Sequence, residues 1–194
     1  MPPKPILNKE ELLNAAIDII RESGIENLNA RSLASKLNCS TKPLFRIYSN
    51  MDDLKSDVYK RAEQVYDKYL SNMQDNDISP FLQMGLNYIR FSCYEKNLFK
   101  FIFLSNNLEI NSFYSIADMA EAPEIIDFIM TNSGLPIEKA KDLFASLWSM
   151  THGISCTIAT NQYNLNETEI LRLLETAYKG ILSELRKDNL QNEN

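Results

Sequence analysis

The chain is poor in the residues that staple or punctuate small folds. Its 194 residues include five glycines, three cysteines, one histidine and one tryptophan. So few glycines argue against a turn-rich β fold and suit long helices. Cys39, Cys93 and Cys156 are odd in number, widely spaced and free of any CxxC pair. That excludes a disulfide framework and a cysteine-rich zinc site. Three reduced thiols packed as small hydrophobes is the plain reading, with redox sensing as the alternative. His152 stands alone, so a multi-histidine metal site is impossible. The longest apolar run, Phe101 to Leu104, falls far short of the ~20 residues that span a bilayer. The opening Met1-Pro2-Pro3-Lys4-Pro5 leads into a charged helix, not a signal peptide's apolar core, and a cytoplasmic location is expected. There is no nucleophile–base pair in recognisable context, no glycine-rich phosphate loop and no clustered metal ligands. Neither an enzyme nor a metal or other cofactor is expected.

What is present is ordinary for a folded protein: 44% hydrophobic and 24% charged residues, in a chain long enough for one or two cores. The formal net charge of −6 is unevenly divided. Residues 1–50 carry a net +2 and residues 51–194 a net −8. No acid lies between Glu26 and Asp52, whereas Arg31, Lys36, Lys42 and Arg46 do. That window can face a polyanion although the whole protein is acidic.

The hydrophobic pattern is helical throughout, with no internal repeat, low-complexity block or strand alternation. Asn8 and Glu11 make a capping box for a first helix over residues 9–23, ended by Gly24 as an αL terminator. Asn29 caps a short second helix that Asn38 can end, since asparagine tolerates αL. Ser40 is expected to cap a third helix, with Pro43 in its first turn and Leu44 and Ile47 facing inward. Asn50 caps a long fourth helix to about residue 74, with Leu54, Val58, Val65, Tyr69 and Met73 on its buried side. Further helices follow from Ser79-Pro80, over about 97–105, from Pro123 to near Gly134, from Pro136 to about Gln162, and from Asn166 to about Arg186. Residues 105–122 read as irregular and partly helical, and the tail from Lys187 as frayed.

The second and third helices, joined only through Asn38 and Cys39, describe a helix-turn-helix. In such a unit the first helix braces the second, whose N-terminal residues enter the major groove. Ser40, Thr41 and Lys42 would sit at that N-terminus, where free N–H groups favour phosphate, and Arg46 one turn later can reach phosphate or a base edge. Read without any relative, the same residues also fit a helical hairpin with solvated cations.

The order of residues narrows the choice. The segment from Leu12-Leu13-Asn14-Ala15-Ala16 through Gly24, Arg31 to Ala34, Leu37, Ser40 to Tyr48 and Asp52-Asp53-Leu54 resembles the N-terminal domain of TetR-family regulators over about 50 residues. The resemblance implies an all-α protein: a three-helix DNA-binding head at 1–50 and a helical ligand-binding and dimerisation domain at 51–194. It implies a homodimer on double-stranded operator DNA, usually a repressor released by a small molecule. Ser40, Thr41, Lys42, Pro43, Phe45 and Arg46 map to the recognition helix, with Arg31 a further DNA contact. The chain departs from the family at Phe45, where tyrosine is common, and at Met51, where lysine is common. Lys55, one turn on, can replace the latter charge.

Trp148-Ser149-Met150-Thr151-His152-Gly153 is similar to the W…HG signature of some TetR-family ligand domains. Met84, Tyr88, Phe91, Phe99, Phe103, Phe128, Phe144, Trp148 and His152 are the candidates to border a pocket for a neutral, largely apolar ligand. Each also reads as plain core, and His152 as a packed, hydrogen-bonded histidine. Gly153 in mid-helix costs ~1 kcal/mol against alanine and points to a close helix approach, within the chain or across a dimer. The last helix has a wide apolar face (Ile170, Leu171, Leu173, Leu174, Ala177, Tyr178, Ile181, Leu182, Leu185). Paired with Ala140, Leu143, Leu147 and Ile154, it is expected either to form a four-helix dimer interface or to be buried in the monomer. A large domain that binds a protein partner instead of a small ligand is the remaining alternative.

Overall fold

The computed structural model describes residues 7–73, 78–105, 117 and 122–192, with side chains described to 187 and not at 122. Among these residues the protein is all-α, as expected. The helices are α1 (Lys9–Ser23), α2 (Ala30–Lys36), α3 (Leu44–Ile47), α4 (Met51–Leu70), α5 (Pro80–Tyr94), α6 (Lys96–Phe103), α7 (Ala122–Ser133), α8 (Ile137–Thr160) and α9 (Glu167–Asn192), with a 3-10 turn at Ile25–Asn27. They fall into two compact units, one of residues 1–69 and 94–108, the other of residues 70–93 and 109–194.

In the first unit the caps form where the side chains allow them. Glu11 N–H donates to Asn8 Oδ1 at 2.8 Å and Asn8 N–H to Glu11 Oε2 at 3.3 Å, the reciprocal box predicted for α1. Gly24 ends α1 with φ +87° and ψ 165°, so the positive φ is used but not in the αL conformation. Asn29 Oδ1 accepts from Arg31 and Ser32 N–H at the start of α2, and Asn38 takes φ +50° after its end. Asn50 Oδ1 accepts the Asp52 and Asp53 N–H groups at 2.8 Å each at the start of α4. Leu12, Ala16, Ile20, Leu33, Leu44, Leu54 and Val58 are almost wholly buried. Each large one contributes about 1.5–3 kcal/mol of apolar burial. Helix α6 adds Leu98 and Phe99 to the buried set. It is fastened to α1 by a two-pronged pair, Arg21 Nε to Glu95 Oε2 at 2.9 Å and Nη2 to Oε1 at 2.8 Å.

The second unit has two apolar clusters. Ile126, Ile129, Leu135, Ala140, Leu143, Phe144 and Leu147 centre one, and Leu82, Leu86, Ile89, Ile158, Ile170 and Leu174 the other. At Gly85 a Cβ would stand 3.4 Å from the Leu174 side chain, an ordinary contact distance, so α9 packs beside α5 there without depending on the glycine. A partly buried set of polar contacts links α4's end, α5 and the start of α9. Asn87 donates to the Leu70 and Asn72 carbonyls and accepts from Gln83 Nε2 and Arg90 Nη1, while Arg90 grips Glu167 at 2.7 Å through two nitrogens. The hydroxyls of Ser149, Thr151, Thr157 and Thr160 along α8 bond the carbonyl four residues back, which satisfies these four polar side chains within the long helix.

Several boundaries differ from the sequence reading. Helix α4 stops at Leu70, short of 74, and Met73 lies beyond it, about half exposed. Helix α9 continues to Asn192 where a frayed tail was expected from Lys187. Most of 105–122 lies outside the described residues. Ala140, Leu143 and Leu147 are at most 4% exposed, so they fill the monomer's own core and cannot face a partner.

Candidate nucleic-acid interface

The third helix starts later than its sequence suggests. Ser40 forms no cap, the turn runs from Leu37 to Pro43, and Pro43 itself occupies the N-cap position of a four-residue α3. Proline removes part of the cap, because a helix opened by Ser40 would have Pro43 at its third position, with no N–H to donate to the serine hydroxyl. The Leu44 and Phe45 N–H groups both reach the Thr41 carbonyl, at 3.2 and 3.4 Å, which places Phe45 one turn above Thr41. Ser40, Thr41 and Lys42 therefore precede the helix instead of opening it. Recognition there must come from side chains, since so short a helix sums few peptide dipoles.

Most of those side chains are turned to solvent. Leu44 faces the core, while Ser40, Lys42, Phe45 and Arg46 are exposed and Thr41 and Pro43 partly so. Arg31 on α2 and Lys55 on α4 are exposed as well. Arg31, Lys42, Arg46 and Lys55 form no ion pair or side-chain hydrogen bond among the described residues. The contrast lies nearby. Lys36 pairs with Glu22 at 2.6 Å, Lys9 with Asp57 at 2.6 Å, and Arg61 with Glu10. In this unit Lys100 on α6 is another cation without such a partner.

The exit of α3 is braced by residues that sequence reasoning missed. Tyr48, its C-cap and 7% exposed, donates its hydroxyl to Asp57 Oδ2 at 3.0 Å. Lys9 Nζ reaches the same oxygen and lies 5.4 Å from the Tyr48 ring centre. The hydrogen bond from Lys9, joined by that from Tyr48, holds the Asp57 carboxyl below its usual pKa. An aromatic residue closing the third helix and an acid two turns into the fourth were the available signals. A polar cleft of about 430 Å³ on the same unit is lined by Glu22, Asn29, Ser32, Lys36 and their neighbours, and by none of the predicted contact residues.

The nine pocket candidates divide between the units. Phe99 and Phe103 belong to the first, packed together at 5.1 Å, with Phe103 edge-on to Tyr66 at 5.2 Å. In the second unit Phe91 and Phe144 are buried core residues, and Met84 and Phe128 are half-buried. Three candidates do come together. Tyr88 Oη lies 2.8 Å from His152 Nδ1, and Trp148 stacks on the imidazole at 4.6 Å with ring planes 7° apart. Burial holds His152 below its ordinary pKa, so the neutral ring is favoured. One turn on, Ser155 Oγ is buried with no hydrogen-bond partner among the described residues, a feature with no signature in the sequence. No group of three potential metal ligands occurs among the described residues. No helix there is long and apolar enough to cross a membrane.

Comparison with known proteins places the fold and no more. No family profile and no curated protein sequence matches the chain. A crystal structure described as "the putative transcriptional regulator from Pseudomonas aeruginosa PAO1" is similar, with a TM-score of 0.60 over 96% of each chain at 13% identity. At that identity the likeness is one of fold alone.

Proposed function

We propose that the protein is a sequence-specific DNA-binding transcriptional regulator of the TetR type, working in the cytoplasm. The observation that carries this reading is the surface around α3. Four unpaired cations, Arg31, Lys42, Arg46 and Lys55, flank an exposed short helix on an otherwise acidic chain whose neighbouring cations are neutralised internally. Unpaired cations cost little in water and are available to displace counterions from DNA. The fold shared with a protein described as a regulator supports the same reading.

In this proposal residues 1–50 form the DNA-reading head and residues 51–194 the effector and dimerisation domain. The effector is small and largely apolar and releases a repressor from its operator. Tyr88, Trp148 and His152 offer aromatic faces with one polar edge, and Ser155 a buried hydroxyl that a ligand would satisfy. The homodimer uses the last two helices, through faces left open in the monomer: Ser146, Gly153, Thr157 and Thr160 along α8, and Leu173 and Gly180 along α9. The reading is tested by selecting genomic DNA fragments with the purified protein at near-physiological salt. Recovery of a pseudo-palindromic site is expected. Sequence-independent binding alone would overturn specific regulation.

A further inference from the structure

From Phe45 we infer a component of sequence reading: its ring reads the 5-methyl group of a thymine in each operator half-site. This rests on the DNA-binding reading above. Phe45 is 47% exposed, a large apolar side chain held in water beside Arg46. It has no hydroxyl, so it cannot bond a phosphate. Its neighbours on both sides in sequence do other work: Leu44 is buried in the core, and Arg46 is exposed and unpaired.

A second methyl-bearing residue stands on the same side of this turn. Thr41 lies one turn before Phe45, joined by the Phe45 N–H to Thr41 carbonyl bond at 3.4 Å. Thr41 and Phe45 thus share one face, with the exposed cations of Lys42 and Arg46 next to them in sequence. In the major groove the only apolar feature a base presents is the thymine methyl, and phenylalanine and the threonine methyl are among the side chains that contact it. The flanking cations supply the phosphate contacts that set the register but carry no sequence information. An exposed phenyl ring beside these cations therefore fits a thymine methyl, whereas it would leave the polar edge of guanine or cytosine unanswered.

The test uses the operator recovered by fragment selection and replaces its thymines one at a time by deoxyuridine, which removes only the methyl. At one position per half-site the wild-type protein should lose about fourfold in affinity, the worth of one buried methyl. Phe45→Ala should bind the unmodified operator more weakly and be indifferent to uracil at that same position. Because the side chain is exposed, Phe45→Ala should keep the wild-type melting temperature, which separates lost reading from lost fold. Phe45→Tyr, with the ring retained, should keep the methyl sensitivity. Indifference of the wild type to every uracil would overturn the inference, as would a sensitive position that stays sensitive in Phe45→Ala. Failure to recover any operator would instead overturn the regulator reading on which it rests.

Discussion

The hydroxyl of Tyr48 donates to Asp57 Oδ2 at 3.0 Å, tying the last residue of the recognition segment to the second turn of α4. Lys9 closes on the same oxygen from α1. The position of α3 is thus set by three elements at once, through a carboxylate that must be ionised to hold the lysine.

Two variants separate the parts of this brace. Tyr48→Phe should cost about 1 kcal/mol, the worth of one hydrogen bond, measured by urea unfolding. Asp57→Asn should act through pH. Since the folded state lowers the Asp57 pKa, its contribution is present above the ordinary carboxylate range and is lost as pH falls through the folded value. The acid limb of wild-type stability should therefore be steeper than that of Asp57→Asn. Equal acid limbs would show that the carboxylate is not engaged.

Salt dependence tests the cationic surface. Each phosphate contact removed lowers the slope of log affinity against log salt by about 0.9, so a two-headed protein should lose about 1.8 per residue. Lys42→Ala and Arg46→Ala should each show that decrement in operator titrations from low to physiological salt. The double variant should lose both. Lys36→Ala is the control: its ammonium is held by Glu22, and its slope should stay near wild type. A double variant that binds its operator like wild type would remove α3 from the interface.

Much of this architecture was legible because local chemistry decided it. Asn8, Asn29 and Asn50 cap the helices they were expected to cap, and Gly24 and Asn38 adopt positive φ where a chain reversal needs it. What failed turned on competition between neighbours. Ser40 is a good cap in isolation, but Pro43 has no N–H to give it, and the helix begins only at Leu44. The pairing of charges was not legible either, since Lys36 and Lys42 look alike in sequence and only one of them finds an acid in space. Likewise the apolar faces of α8 and α9 carried no label for monomer core or dimer contact, and Ala140, Leu143 and Leu147 proved to be core.

Gly153 offers a direct test of association. A Cβ there meets nothing within 4 Å, so the close approach expected of this glycine is not made inside the monomer. Gly153→Ala should leave the fold intact and, if the face were simply solvated, raise stability by up to ~1 kcal/mol. Gly153→Arg should retain helix content by circular dichroism while setting two guanidinium groups against each other in a symmetric pair. Sedimentation equilibrium should show its self-association weakened at least tenfold. Unchanged association of Gly153→Arg would move the interface off this face of α8, and a wild type that stays monomeric at all concentrations would remove the dimer.

The single histidine makes one pH prediction unusually clean. In the fold, burial keeps the His152 imidazole neutral, with Tyr88 Oη at 2.8 Å from Nδ1 and Trp148 stacked on the ring. A neutral ring with its proton on Nε2 accepts from the tyrosine, whereas protonation turns Nδ1 into a donor and obliges that hydroxyl to turn away. The unfolded chain takes its proton near pH 6.5, the folded chain only at lower pH. Stability is therefore full above about 6.5 and falls as pH drops through the folded value. Between pH 7.5 and 5.5 the melting temperature of the wild type should decline more steeply than that of His152→Gln, which has no imidazole left to titrate. Trp148 is the only tryptophan, and its stacking on His152 gives a second readout. Its fluorescence should titrate in the folded wild type with a midpoint below 6.5 and stay flat in His152→Gln. Parallel melting curves and a flat wild-type titration would mean that the ring sits in water and that the Tyr88–His152 contact does not persist in solution.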